Sequence, residues 1–484
     1  MIKKFLNQSL VYFIGNALNR LGVFVLLPLY TNYLTPADFG TLELVLVTVA
    51  FVRALVAMRI GHATVRFYFE YDEENERKKL ISTSLLATAL WSLLLVVALI
   101  IVSSYISRIV SGSEANYTLF ILGFSVMFFE VISEIPFAFL RAREQSVLYV
   151  VSSLSQLILR VSLNVYIIKY MNGGLNGILT GNMISAALVW LGLVIFILRY
   201  SGIHFDIPKL KDLWKYCYPL VIAAVPGVAV RNADRLFLGW FTSLEAVGLY
   251  ALAFRFGLAL RNFILEPFQL GFGPFRFKIM NRDDAQVVYS RLMTYFFLAV
   301  SFTALILSVF SREIIEAMSS ESYRSAYKVV PLIVLSTVIQ GITYITQTGL
   351  LVEKRTRYFP YISGVTAVAN VLALYIFIRF FGIYGAGIAL VITSVVETAL
   401  TFKFSQKMYK VNYEYARIVK IFVAALSVYL VATFAPGTDT GGRFLIKTGL
   451  ILSFPVLLFM FKFYTGYETE KISAVLAAMR FTRR

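Results

Sequence analysis

The sequence predicts an all-α polytopic membrane protein of about fourteen transmembrane helices, arranged as two six-helix lobes with two extra C-terminal helices. Three observations carry this. Of 484 residues, 59% are hydrophobic and 15% charged, whereas a soluble domain has roughly 25% charged residues. Apolar runs of about 18 to 27 residues recur along the whole length, and each can cross a hydrocarbon layer of about 30 Å at 1.5 Å per residue. The basic residues cluster in the short loops on one side of those runs.

In chain order the spans fall at 10–34, 42–66, 81–106, 118–140, 147–166, 175–198 and 216–240. The second half continues at 246–270, 290–310, 329–352, 359–378, 386–402, 418–435 and 444–463. The first run opens like a signal peptide but passes through Asn16, Asn19 and Arg20 without a small-residue cleavage site, so it reads as a retained helix. Barrel strands would be half as long and alternating, which excludes that class. With the N-terminus placed in the cytoplasm, about 28 Lys and Arg lie on the inner side and about eight on the outer, and the imbalance sets the orientation. An even number of spans returns the C-terminus to the same side. The chain then reads as a multi-pass protein of the inner (cytoplasmic) membrane. In the tail at 468–484, Ile472, Val475, Leu476 and Met479 share one helical face, which suits an amphipathic segment on the inner surface.

Several function classes fall away. The formal charge of +18 has a topological explanation, so nucleic acid is not an expected partner. Cys217 is the one cysteine and His62 and His204 the two histidines, too few for a disulfide or a zinc site. No GxxxxGK[ST] loop occurs, so the chain itself does not use ATP. No cofactor is expected beyond a coupling H+ or Na+.

Setting aside the 28 inner and eight outer residues, some of them at span ends, leaves nine of the 45 basic residues deeper in the spans, and all nine are arginine: Arg20, Arg53, Arg59, Arg66, Arg160, Arg231, Arg235, Arg255 and Arg261. A charge at membrane depth costs at least about 2.5 kcal/mol unless paired or hydrated, so these side chains should face a shared interior. Arginine binds phosphate through a planar fork and stays charged in any environment. Arg20, Arg53, Arg59, Arg261, Arg255, Arg231, Arg66 and His62 are the expected substrate-binding set, with Arg59, His62 and Arg66 on one face of a continuous second span. Snorkelling to an interface or neutralising a neighbouring acid is the competing reading for each arginine, above all for Arg66 and Arg235. The embedded acids, Glu43, Glu130, Glu134, Asp234, Glu266 and Glu397, are fewer. Asp234 stands three residues from Arg231 and is placed to pair with it; Asp234, Glu130 and Glu397 are the carboxylates that could couple an ion. The cationic surplus suits an anionic cargo.

An internal repeat divides the chain. Thr35, Asp38 and Gly40 after the first span answer Thr242, Glu245 and Gly248 after the seventh. A shift near 208 also superposes Arg53 on Arg261 and Gly174–Gly177 on Gly382–Gly385, and Arg66-Phe67 answers Arg276-Phe277. The repeat holds six helices, an even number, so both copies keep one orientation and can rock about a central cavity. The expected domains are lobes at 1–205 and 206–410, two added helices at 411–467, and the tail.

The stretch RLGVFVLLPLYTNYLTPADFGTLEL resembles the first-helix signature of Wzx-type polysaccharide-unit flippases in the multidrug/oligosaccharidyl-lipid/polysaccharide exporter superfamily. YPLVIAAVPGVAVRNADRLFLGWFTSLEAVGLYALAFRFG, SAYKVVPLIVLSTVIQGITYITQTGLLVEKRTRYF and NVLALYIFIRFFGIYGAGIAL are similar to that family too. The resemblance implies a V-shaped cavity between two lobes and, as cargo, an oligosaccharide on a polyprenyl diphosphate. It implies transport in place of catalysis, driven by an ion gradient or by consumption of the product. Membrane lipids and other polysaccharide-assembly proteins are the expected partners. The alternatives are a multidrug/cation antiporter, whose cargo an arginine-rich cavity would repel, a peptidoglycan-precursor flippase, a membrane polysaccharide polymerase or glycosyltransferase, and a scaffold.

Overall fold

The computed structural model describes residues 2–434, 440–466 and 468–470, and every regular element among them is helical. The helices are α1 (Ile2–Tyr33), α2 (Pro36–Val56), α3 (Ile60–Tyr68), α4 (Glu74–Ile101), α5 (Ser103–Ser111), α6 (Tyr117–Ala142), α7 (Ser146–Met171), α8 (Gly174–Ser201) and α9 (Ile207–Phe241). They continue as α10 (Leu244–Leu260), α11 (Glu266–Ile279), α12 (Ala285–Val309), α13 (Ser311–Met318), α14 (Val330–Thr346), α15 (Thr348–Val352), α16 (Tyr358–Met408), α17 (Tyr415–Phe434) and α18 (Thr440–Met460). Residues Arg261–Leu265, between α10 and α11, form a π-helical turn. Residues 471–484, which hold the expected amphipathic face, lie outside the described residues.

Eleven helical segments among the described residues are long and apolar enough to cross a membrane, against the fourteen spans expected. One reason is the 51-residue segment α16, which merges the spans expected at 359–378 and 386–402. A straight helix of that length would reach about 76 Å, far beyond one bilayer. It is interrupted at Gly382, where φ is 53° and ψ −127°. Helices α1 and α9, 32 and 35 residues long, stand outside the eleven, and α9 carries Arg231, Asp234 and Arg235 near its end.

Two of the glycine pairs spaced by 208 residues have matching backbone roles. Gly174 and Gly382, 208 positions apart, take the same left-handed φ of 52° and 53°, a conformation glycine adopts without steric cost. Gly40 and Gly248, also 208 apart, meet reciprocally. A Cβ on Gly40 would sit 1.9 Å from the Leu244 carbonyl oxygen, and one on Gly248 would sit 1.9 Å from that of Pro36. The repeated glycines therefore serve turn geometry and close backbone approach. At the start of α2, the Thr35 hydroxyl accepts from the Asp38 amide and Asp38 Oδ2 accepts from the Thr35 amide, both at 3.1 Å, a capping box that satisfies two otherwise orphaned donors.

The chain divides into two compact units. The first comprises 1–251 with 318–323 and 371–386, and the second comprises 252–317, 324–370 and 387–484. In the first, α6 packs most extensively on α8 and α4, and α7 lies against α8 and α1. Its buried apolar cluster runs through Ile60, Leu80, Ile81, Phe139, Ile197 and Leu213. In the second, α12 packs on α14 and α17, and α17 on α18.

Candidate functional site

The second expected span is not one helix. It breaks after α2, and Met58 and Arg59 both take positive φ, 46° and 54°. Left-handed conformations cost a non-glycine residue roughly 1 kcal/mol each. Broken backbone at membrane depth is tolerated where it lines a cavity or is buried in protein. Gly61 and His62, just past the break, belong to the wall of such a cavity. The expected common face of Arg59, His62 and Arg66 is corrected for Arg59, which lies in the break at 57–59, while His62 and Arg66 share α3 at i, i+4. Arg59 caps α3 from a left-handed position, and Arg66 lies 4.8 Å over the Tyr216 ring.

The cavity lies within the first unit and holds about 380 Å³. Arg53 comes from α2; Glu130, Ser133, Glu134, Phe137 and Arg141 from α6; Tyr149, Gln156 and Arg160 from α7. The spacing explains how one helix supplies several groups: Glu130 and Glu134 are i, i+4 on α6, and Gln156 and Arg160 are i, i+4 on α7, so each pair shares a face. Pro136 lies inside α6 beside them. A proline there cannot donate to the carbonyl one turn back, which loosens the helix next to the cavity.

Arg53 holds both acids. Its Nη1 donates to Glu130 Oε2 at 2.7 Å and its Nη2 to Glu134 Oε1 at 3.0 Å. Arg160 Nη2 reaches the other oxygen of Glu130 at 3.3 Å. Both acids of the wall therefore bind guanidinium groups, the neutralising role weighed against a cavity role for the embedded arginines. A surplus survives, because three arginines face two glutamates in the wall. Arg53 keeps 38% of its side-chain surface exposed, so water and a ligand can reach it.

The other expected residues lie elsewhere. Asp234 is buried in the first unit, where it accepts from Arg235 Nη1 at 3.0 Å and from the Tyr250 hydroxyl at 2.5 Å. Arg235 is thus a partner of Asp234, one residue along, and Arg231, three residues from Asp234, is exposed on α9. Arg20 on α1 and Arg255 on α10 are half-buried. In the second unit Arg261 sits in the π-helical turn and its Nη2 donates to Gln340 Oε1. Gln340 Nε2 donates in turn to Ser394 Oγ at 3.2 Å, one turn of α16 before half-buried Glu397. The sequence reading missed Glu134, Gln156 and Tyr149 as wall residues. The i, i+4 pairing of carboxylates on the fourth span was the available signal.

A family described as polysaccharide biosynthesis protein matches residues 5–280. No curated protein sequence matches significantly. Among solved structures, the lipid II flippase MurJ in an inward closed conformation superposes with a TM-score of 0.75 at 16% identity, covering 94% of this chain and 98% of that one. An inward-facing multidrug resistance MATE family transporter of the MOP superfamily gives 0.65 at 13% identity, covering 83% and 94%. A mutant form of the Vibrio cholerae MATE transporter VcmN gives 0.54 at 15%, covering 84% and 96%. At these identities the likeness is one of fold.

Proposed function

We propose, from the premise that this chain belongs to the polysaccharide biosynthesis protein family, that it is a flippase for polyprenyl-diphosphate-linked oligosaccharides. The cargo passes from the cytoplasmic to the outer leaflet by alternating access and feeds surface polysaccharide assembly. Fourteen spans, two six-helix lobes and cytoplasmic termini complete this reading. Among the described residues, the observation that carries it is the cavity of the first unit, where three arginines outnumber two glutamates in the wall. A diphosphate diester carries two charges that a guanidinium fork matches bidentately, and such a wall repels a cationic drug. Arg261, held by a neutral amide, supplies a further cation in the same reading. Glu130, Glu397 and Asp234 are the acids available for coupling to H+ or Na+. A peptidoglycan-precursor cargo is the second reading, because it shares the diphosphate and polyprenyl chemistry and MurJ shares the fold.

The test is reconstitution into vesicles with labelled polyprenyl-diphosphate oligosaccharide, peptidoglycan precursor and a drug cation in parallel. Protein-dependent movement of the oligosaccharide lipid supports the proposal. Movement of the cation alone would replace it with the antiporter reading, and elongation of the glycan without movement would replace it with an enzyme.

A further inference from the structure

Arg53 is the one arginine of the cavity wall that spans both carboxylates of α6, through Nη1 to Glu130 and Nη2 to Glu134. Its two terminal nitrogens are the pair a phosphate would need for bidentate binding. An anion that takes this fork must displace at least one carboxylate from it. The displaced group then stands beside a second carboxylate one helical turn away and close to the arriving negative charge. Nearby like charges favour the protonated form of a carboxyl.

We propose that Glu130 and Glu134 form a proton site coupled to the anion, so that seating a diphosphate diester on Arg53 draws one proton from water onto this pair. The inference rests on the anion-binding reading of the cavity and adds its regulation. Atoms balance simply: a guanidinium–carboxylate contact is exchanged for a guanidinium–phosphate contact, and the freed carboxylate becomes a carboxylic acid. Binding in this scheme tightens about tenfold for each unit the pH falls, since one proton enters with each ligand.

The charged and titratable groups facing the pair come from four elements. They are Arg53 on α2, His62 on α3, Arg141 on α6 itself, and Tyr149 and Arg160 on α7. Helices α4, α5 and α8, which also pack on α6, contribute no residue to this wall among the described residues. Arg160 touches Glu130 at 3.3 Å, while the ion-pair partner of Glu134 in this wall is Arg53. Glu134 is therefore the member that loses its cation outright when Arg53 turns to the ligand, and it receives the proton. His62 is the rival proton acceptor in the wall.

The probe is UDP-glucose, a soluble diphosphate diester whose two phosphates stay ionised through neutral pH, so any proton taken up belongs to the protein. Calorimetric titration of the detergent-solubilised full chain in two buffers of different ionisation enthalpy reads protons directly and needs no variant. The expected result is uptake of about one proton per ligand near pH 7 and a Kd that rises about tenfold from pH 6 to pH 7. The Glu130→Gln, Glu134→Gln double variant is expected to bind with uptake near zero and a pH-independent Kd. Binding without proton uptake by the unaltered protein overturns the inference and leaves the anion-binding reading standing. Uptake that survives in the double variant also overturns it, in favour of His62. Absence of any diphosphate binding overturns both.

Discussion

Arg53 in the first unit and Arg261 in the second stand 208 positions apart on equivalent spans of the repeat, yet they keep different company. Arg53 lies in a regular α-helix and is gripped by two carboxylates. Arg261 lies in a π-helical turn and is held by the amide of Gln340, which passes the contact on to Ser394. The two positions share the cation but not its partner. An ion pair can be exchanged for a ligand and a proton, whereas an amide orients a guanidinium without cancelling its charge. In the proposed reading the first site answers an anion by giving up a carboxylate contact, whereas Gln340 offers Arg261 no carboxylate to give up.

The largest effect separates the two arginines directly. Arg53→Gln removes the cation that both glutamates share, and oxyanion binding and transport are expected to fall at least 100-fold in the vesicle assay, with a loss of about 1–2 kcal/mol in stability. Arg261→Gln orphans no carboxylate by this contact, so transport should fall while thermal stability holds. Equal destabilisation by both changes would break the comparison. Next in size, Gly40→Ala places a methyl 1.9 Å from a carbonyl oxygen and is expected to cost roughly 3 kcal/mol or more, as is Gly248→Ala, because this contact, unlike the arginine sites, stayed symmetric. Gly192→Ala meets nothing within 4 Å and should be neutral or stabilising by up to about 1 kcal/mol in the same melting experiment.

Smaller again, Gln340→Glu would give Arg261 a carboxylate like that of Arg53. Diphosphate affinity is expected to drop several-fold and to become pH-dependent; an unchanged pH profile would mean the partner does not matter. The smallest effect lies at the end of the second unit. Glu468 accepts from Tyr295, Arg417 and the Thr465 amide. Burial opposes its ionisation, but these donors outweigh burial and hold its carboxyl down at about 2. A depressed pKa contributes stability above the unfolded value near 4.3, and that stability is lost as pH falls toward 2. Glu468→Gln should therefore lower the melting temperature slightly at pH 6 and not at all near pH 2.

The sequence made the spans legible because hydropathy is additive along a chain, and it made the repeat legible because glycines at fixed spacing mark backbone demands. Gly174 and Gly382 share one left-handed angle, and the Gly40–Gly248 contact is reciprocal. Side-chain pairing was less legible, since it depends on which helices are neighbours. Glu134 looked like one embedded acid among several until α2 and α6 came together around Arg53. The break at Met58 and Arg59 left no composition signal, because neither residue favours the left-handed region that the surrounding packing imposes on them. His62 and Arg53 were recognised from residue type, and His62 and Arg66 do share α3 at i, i+4, but the face assigned to Arg59 assumed a helix that does not continue.

A positively biased, water-filled chamber is the claim on which the account turns, and thiol labelling reads it most directly. Cys217, the sole cysteine, is buried, so a Gln156→Cys variant reports from the cavity wall against a quiet background. Anionic methanethiosulfonate reagents should modify it several-fold faster than cationic ones of equal size, and a diphosphate diester should protect it. Faster reaction with the cationic reagent, or no reaction with either, would contradict the account.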